Sequence, residues 1–302
     1  MPGSSLRSRL LRGEVLVLDG ALGTELERRG VATPLPLWSA EAVRSAPETV
    51  RRIHEEYILA GADVITTATF RATPRAFGRA GRAAEAEEAL ERAVSLAREA
   101  RRRVPAPREV LIAGAIAPLE DCYRPDLAPS EEAAEPEHAA QAARQARAGA
   151  DVLLVETMNT VAEARAAVRG ARATGLPVLV SFICRSGREL LSGEPLAGAA
   201  RAVAALGPDA ILVNCAPPGI VEDCLDTLAA STRLPRGSYA NAGSPDLAAG
   251  VWRFDAEWSP ERFAGAAIEW VRRGAQLVGG CCGTTPAHVR ALRAALPPVL
   301  ME

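Results

Sequence analysis

Two cysteines stand side by side near the C-terminus, Cys281 and Cys282, within GGCCGTTP (279–286). A third, Cys215, closes the apolar run DAILVNCA (209–216). Neighbouring Cα atoms lie about 3.8 Å apart, below the ~4.4 Å at which disulfide geometry begins. A Cys281–Cys282 disulfide would therefore be strained. Tetrahedral zinc asks for something else: two thiolates at about 2.3 Å from the metal sit roughly 3.8 Å from each other. Adjacent residues reach that spacing if the backbone kinks, and Gly279, Gly280 and Gly283 allow the kink. With Cys215 the ligand set is three thiolates and one open position, the pattern of a catalytic zinc. Thr285 and Pro286 read as the N-cap and first turn of a helix whose positive end lies near the sulfurs. Two other readings stand beside zinc. A phosphate cradle at a helix start suits a barrel but has no use for paired thiols, and buried cysteines are also ordinary core residues.

Other reactive groups share this address. Asp19-Gly20, Glu156-Thr157, Asn214 and Asn241 each stand at or near the end of an apolar run. Eight such runs cover 14–20, 63–70, 109–117, 151–157, 177–184, 209–216, 237–243 and 276–283, with Ala/Arg/Glu-rich segments between most of them. Buried strands alternating with crossover helices give parallel pairing, and eight of them give a (β/α)₈ TIM barrel with its active site at the C-terminal strand ends. The alternative is an open doubly wound sheet, whose G-x-G-x-x-G turn is missing after the first run. Residues 1–302 read as one barrel domain. One long irregular stretch, 118–138, follows the third strand and is expected to form a lid over the catalytic face. Ser45-Ala46-Pro47-Glu48 is expected to be a capping box, and Ser259-Pro260-Glu261 to open another helix. His54 reads as a packing or surface residue and His288 as a helix-surface residue.

Composition narrows the function. The net charge is -2 and all 35 basic residues are arginine. No Schiff-base lysine or P-loop lysine can operate, and no basic stripe calls for nucleic acid. Three histidines and six scattered cysteines in 302 residues fit a reduced cytoplasmic protein, not a disulfide framework. No run approaches the ~20 apolar residues of a membrane span. The acidic patch at 131–137 reads as solvated loop or surface.

Taken in order, DGALGTELERRG (19–30), LWSA (37–40), the H-x-x-Y-x-x-A-G-A-D-V-I-T-T stretch (54–67), VET (155–157), VNCAPP (213–218) and GGCCGTTPAHV (279–289) resemble the homocysteine S-methyltransferases over nearly the whole chain. The resemblance implies a (β/α)₈ barrel with Zn²⁺ on Cys215, Cys281 and Cys282. It implies that Asp19 and Glu156 hold the amino group of homocysteine, with Gly20 and Asn214 beside them. The chemistry implied is methyl transfer to the homocysteine thiol from a cationic donor, S-methylmethionine or S-adenosylmethionine, giving methionine. Betaine is an alternative donor, and methylfolate would require a separate corrinoid protein. A zinc ion with three thiolates carries net negative charge. It suits a sulfur nucleophile better than the carbonyl activation of a His-ligated hydrolase. A non-catalytic zinc- or homocysteine-binding barrel is the reading of a different class; self-association as a homo-oligomer is compatible with either. One departure stands out: many relatives read T-N-T where this chain has Thr67-Ala68-Thr69.

Overall fold

The computed structural model describes residues 2–246 and 251–296. Eight parallel strands form the barrel: β1 (Leu16–Val17), β2 (Val64–Thr66), β3 (Leu111–Ile116), β4 (Val152–Met158), β5 (Val178–Ser186), β6 (Ala210–Asn214), β7 (Arg236–Ala240) and β8 (Ala275–Gly280). From β2 onward each pairs with the next, and β8 pairs with β1 through Leu16↔Leu277 and Val17↔Val278. A single bridge, Leu18↔Val64, joins β1 to β2 and completes the ring. The eight expected runs all lie on these strands, although the first two give only short pieces of ladder. The helices Pro47–Ala60, Ala86–Arg103, Glu131–Ala148, Val161–Arg172, Leu196–Ala204, Pro218–Ser231 and Pro260–Arg272 are the seven crossovers, and Pro286–Ala295 follows the last strand.

Alternation along the strands separates two kinds of core. Leu16, Leu18, Val64, Leu111, Ala113, Val152, Leu154, Leu179, Ala210, Leu212, Tyr239 and Leu277 form one buried cluster drawn from all eight strands, which is the barrel interior. Leu6 and Leu10 of the N-terminal helix Pro2–Leu11 join it. The intervening residues, such as Ile65, Ile112, Val155 and Val180, pack under the outer helices.

Three of the four even strands share a device that the apolar runs alone do not reveal. Gly61-Ala62-Asp63, Gly149-Ala150-Asp151 and Gly207-Pro208-Asp209 each lead from a helix into β2, β4 or β6. The glycines are left-handed, with φ of 113°, 99° and 72°, and end their helical segments as only glycine does cheaply. Each aspartate then accepts the N–H of a residue on the preceding strand segment: Val17 at 2.8 Å, Ile112 at 2.8 Å and Val178 at 2.8 Å. Arginines neutralise the three carboxylates. Arg9, Arg108 and Arg293 meet Asp63, Arg101 meets Asp151, and Arg7 meets Asp209. Asp63 has a side chain only 1% exposed and sits at the β1–β2 seam, where the ladder is thinnest.

Three local expectations are corrected. The irregular stretch after β3 ends at Ser130, not at 138, because Ser130 caps the helix Glu131–Ala148 by accepting from Ala133 N. The acidic residues 131–137 are thus its first two turns, where carboxylates complement the helix dipole. The capping box at Ser45 does not form: Ser45 belongs to the preceding helix Ser39–Ser45, its hydroxyl donates to Glu41 O at 3.0 Å, and Ala46 takes the N-cap position. Ser259 does cap its helix, accepting from Arg262 N. A short hairpin between Gly243–Asp246 and Val251–Phe254, unexpected from the sequence, follows β7.

Removing one partner of a buried ion pair costs about 3–5 kcal/mol. Asp63→Ala is expected to lower unfolding stability by about 3 kcal/mol or more. Asp209→Ala should cost less, because its partner Arg7 is 41% exposed. Denaturant unfolding of the two variants checks the order; equal losses would contradict the seam's special role.

Candidate metal centre and substrate pocket

Strand register explains why cysteines distant in sequence meet. Asn214 pairs with Tyr239 across β6–β7, and Gly280 pairs with Ala240 across β8–β7. The residues after these strand ends, Cys215 and Cys281, therefore flank β7 at one level of the rim. Cys215 adopts φ 51°, a left-handed conformation that a non-glycine residue holds only under constraint. Cys281 is held by its N–H to Ala240 O at 2.7 Å, and Cys282 O accepts from Ala242 N at 2.8 Å. Of the glycines around the pair, Gly283 alone has the positive φ, 83°, and a Cβ there would lie 2.0 Å from Ala242 O. Gly280 is needed for space: its Cβ would lie 2.3 Å from Thr284 Oγ1.

The Cys215, Cys281 and Cys282 sulfurs all lie within 4.8 Å of one another, and Cys215 Sγ to Cys281 Sγ is 3.0 Å. Zinc-bound sulfurs stand about 3.8 Å apart, so small side-chain rotations accommodate an ion. Donation from the Cys215 and Cys282 thiols pulls Cys281 well below the ordinary thiol value. The same contact with Cys281 pushes Cys215 well above it. Three soft sulfurs, one of them drawn towards its thiolate form by the other two, suit a thiophilic divalent metal. The cluster fits a metal ion; it is the one group of three or more such ligands found among the described residues.

Two carboxyls face the same pocket. Asp19 accepts from Thr66 N at 2.7 Å and from the Thr66 hydroxyl at 3.0 Å. Burial outweighs these bonds and raises its pKa to about 7. Glu156 accepts from Tyr239 OH at 3.2 Å. Burial, then the nearby Cys281, raises it to about 8. Gly20 packs so closely that a Cβ would lie 2.7 Å from Thr284 Oγ1 and 2.8 Å from Tyr57 OH.

Asn214 does not take the expected place among the pocket-lining residues. It is fully buried and its side chain is spent on support. Its Oδ1 accepts from Thr157 N at 3.0 Å and Ser181 OH at 2.7 Å, while its Nδ2 donates to Thr157 Oγ1 at 2.8 Å. It thereby holds Thr157 at φ 60°, directly beside Glu156. Thr285 starts the last helix as expected. His288 proves to be its capping partner and not a surface group: its Nδ1 accepts from Thr285 N at 3.2 Å, and its Nε2 meets Trp258 O at 3.0 Å. His54 is a packing residue, fully buried and pushed to about 4 by burial.

The pocket, about 390 Å³, extends outward past residues the chemical reading of the sequence did not select. Trp38, Phe70, Arg71, Tyr123 and Trp252 line this part. Trp38 and Phe70 meet edge to face at 5.7 Å. The only sequence signals were the LWSA segment and the DCYRPD run at 121–126. The latter lines the pocket through Asp121, Cys122 and Tyr123, and bonds at and just before it tie the stretch to its neighbours. Leu119 N donates to Glu163 at 2.7 Å, Glu120 is clasped by Arg75 and Arg79, and Asn159 Nδ2 donates to Cys122 O at 3.0 Å. Ala68, at the departure from T-N-T, lies on the pocket wall as a small apolar surface.

Such a rim defines a barrel whose three clustered thiols can hold a metal, with two buried carboxyls beside them. The family model for homocysteine S-methyltransferase matches residues 16–296. The chain is 34% identical to the homocysteine S-methyltransferase YbgG of Bacillus subtilis (strain 168), covering 93% of this chain and 94% of that one. It is also 34% identical to the homocysteine S-methyltransferase of Escherichia coli (strain K12), covering 96% and 97%. The metallated crystal structure of the Escherichia coli homocysteine methyltransferase MmuM superposes with a TM-score of 0.83 at 33% identity, covering 97% of this chain and 99% of that one. The chain belongs to the homocysteine S-methyltransferase family.

Glu156 supplies a pH test. Its folded value of about 8 lies above the ordinary 4.5, so the folded state binds the proton more tightly. Its contribution is therefore most favourable at low pH and is lost as pH rises through the folded value. Metal-free Glu156→Gln should unfold at a higher temperature than wild type at pH 8–9, with the gap closing towards pH 5. Calorimetry across that range checks this; a constant gap would contradict it.

Proposed function

We propose that the chain transfers a methyl group from a cationic donor to the sulfur of homocysteine, with Zn²⁺ held by Cys215, Cys281 and Cys282. The observation that carries this reading is the convergence of three thiols and two buried carboxyls on one pocket. Zinc bound to those thiolates supplies a way to keep a substrate thiol deprotonated at neutral pH.

The chain's own groups do the rest. Asp19 and Glu156 are carboxyls raised by burial, so an arriving ammonium group supplies the counter-charge that lets both ionise. The Thr66 contacts fix Asp19, and Tyr239 fixes Glu156. With the ammonium anchored, the substrate sulfur is directed at the thiol cluster. Gly20 leaves backbone within reach of the bound amino acid. Asn214 serves by holding Thr157 and so the end of β4. The aromatic faces of Trp38, Phe70, Tyr123 and Trp252 favour a sulfonium or quaternary ammonium over neutral donors. Holding donor and acceptor in line contributes the orientation part of catalysis. Burial, then the neighbouring thiols, keeps Tyr123 protonated, so its hydroxyl remains a donor.

S-methylmethionine and S-adenosylmethionine are the donors of first choice, and betaine is the alternative. Among the described residues no helix is long and apolar enough to cross a membrane.

Incubation of the reduced, zinc-loaded protein with homocysteine and each of S-methylmethionine, S-adenosylmethionine and betaine should give methionine from at least one sulfonium donor. No methionine from any of the three would overturn the reading. Asp19→Asn should raise KM for homocysteine about tenfold or more while changing donor KM little, as expected for loss of a charge-assisted contact to one substrate. Steady-state kinetics with each substrate varied separately checks the split.

A further inference from the structure

Of the side chains lining the pocket, Asp19, Glu27, Asp121 and Glu156 are acidic and one, Arg71, is basic. A guanidinium is out of place in a chamber built for cations. It opposes a sulfonium or ammonium donor unless that donor also brings an anion to meet it. Arg71 directly follows Phe70, and its guanidinium carbon stands 5.6 Å from the Phe70 ring centroid. The ring in turn packs on Trp38. The cation is therefore embedded in the aromatic outer half of the pocket.

Its bonding leaves capacity to spare. Arginine carries five N–H donors. Arg71 uses Nη1 on the backbone oxygen of Glu120 at 3.1 Å. The Glu120 carboxylate is taken by Arg75 and Arg79. The Asp121 carboxylate is turned back to Tyr123 N at 2.9 Å. Among the described residues no carboxylate lies within 4.0 Å of Arg71's nitrogens. The Glu120 contact fixes the guanidinium at the wall without neutralising it.

We propose that Arg71 is the specificity residue for the methyl donor, receiving the donor's carboxylate while the aromatic faces take its onium centre. This inference rests on the proposed methyl transfer and names the donor class within it: a zwitterionic onium amino acid or carboxylic acid, not a bare alkyl sulfonium. Homocysteine, with its ammonium at Asp19 and Glu156 and its sulfur at the thiols, occupies the inner half. Arg71 then fixes the far end of the donor and turns its methyl group inward.

The test compares S-methylmethionine with trimethylsulfonium, which has the onium centre and lacks the carboxylate. Calorimetric binding to the zinc-loaded wild type should favour S-methylmethionine. Arg71→Gln should weaken S-methylmethionine binding about ten- to hundredfold, the range expected for loss of a charge-assisted contact. Trimethylsulfonium binding should be unchanged or tighter, and KM for homocysteine unchanged. Arg71→Lys, which keeps the charge, should recover much of the affinity. Equal weakening of both ligands, no preference in the wild type, or a loss confined to homocysteine would overturn the assignment. Absence of methyl transfer in a wild type that keeps the carboxylate preference would count against the proposed reaction and leave Arg71's role standing.

Discussion

The barrel's rim depends on a single crowding: three thiols within 4.8 Å, one of them drawn towards the anionic form by the other two. Such a cluster is unfavourable without a cation, because burial and mutual repulsion both resist a second thiolate. The fold holds it together through backbone bonds. Parallel register sets Cys215 and Cys281 level across β7, the left-handed turn at Cys215 aims one sulfur inward, and Gly283 lets the Cys281–Cys282 turn fold back on Ala242. The cost of these constraints is met by the ring of strands beneath, closed at its thinnest seam by the buried Asp63 and its arginines.

The same logic extends across the pocket. Asp19 and Glu156 are buried carboxyls with few bonds of their own, so they too stand in need of a cation. In the proposed reaction, metal and ammonium answer the two needs at neighbouring points, and the aromatic outer half receives the onium group of the donor. The site is thus arranged as successive demands for positive charge, interrupted only by Arg71.

Much of this was legible in the chain. Eight apolar runs mark eight strands because a strand buried on both faces must be apolar throughout, and polar residues at their ends mark the rim. The cysteines were legible because thiol pairs between glycines have few structural uses. Asn214 stands at a strand end as Glu156 does and shares the inward parity of Ala210 and Leu212, but its amide is taken up by Thr157 and Ser181, partners that no spacing in the sequence announces. The loop after β3 was read too long because the acidic opening of the next helix looks like solvated chain until Ser130 is identified as its cap. Trp38 and Tyr123 lie in short segments singled out in the sequence, Phe70 closes the second apolar run and Arg71 lies in none, yet all four converge only through the packing of loops that follow β1, β2 and β3. The Gly-x-Asp entries to β2, β4 and β6 were visible as a repeat, yet their role depends on which neighbouring strand's N–H they meet.

The most direct test of the three-thiol centre is the metal content of the chain purified under reducing conditions, alongside Cys215→Ala, Cys281→Ala and Cys282→Ala. One zinc per chain in the wild type and nearly none in any of the three folded variants is the expected result. A zinc-free wild type, or any single variant that keeps a full equivalent, would contradict it.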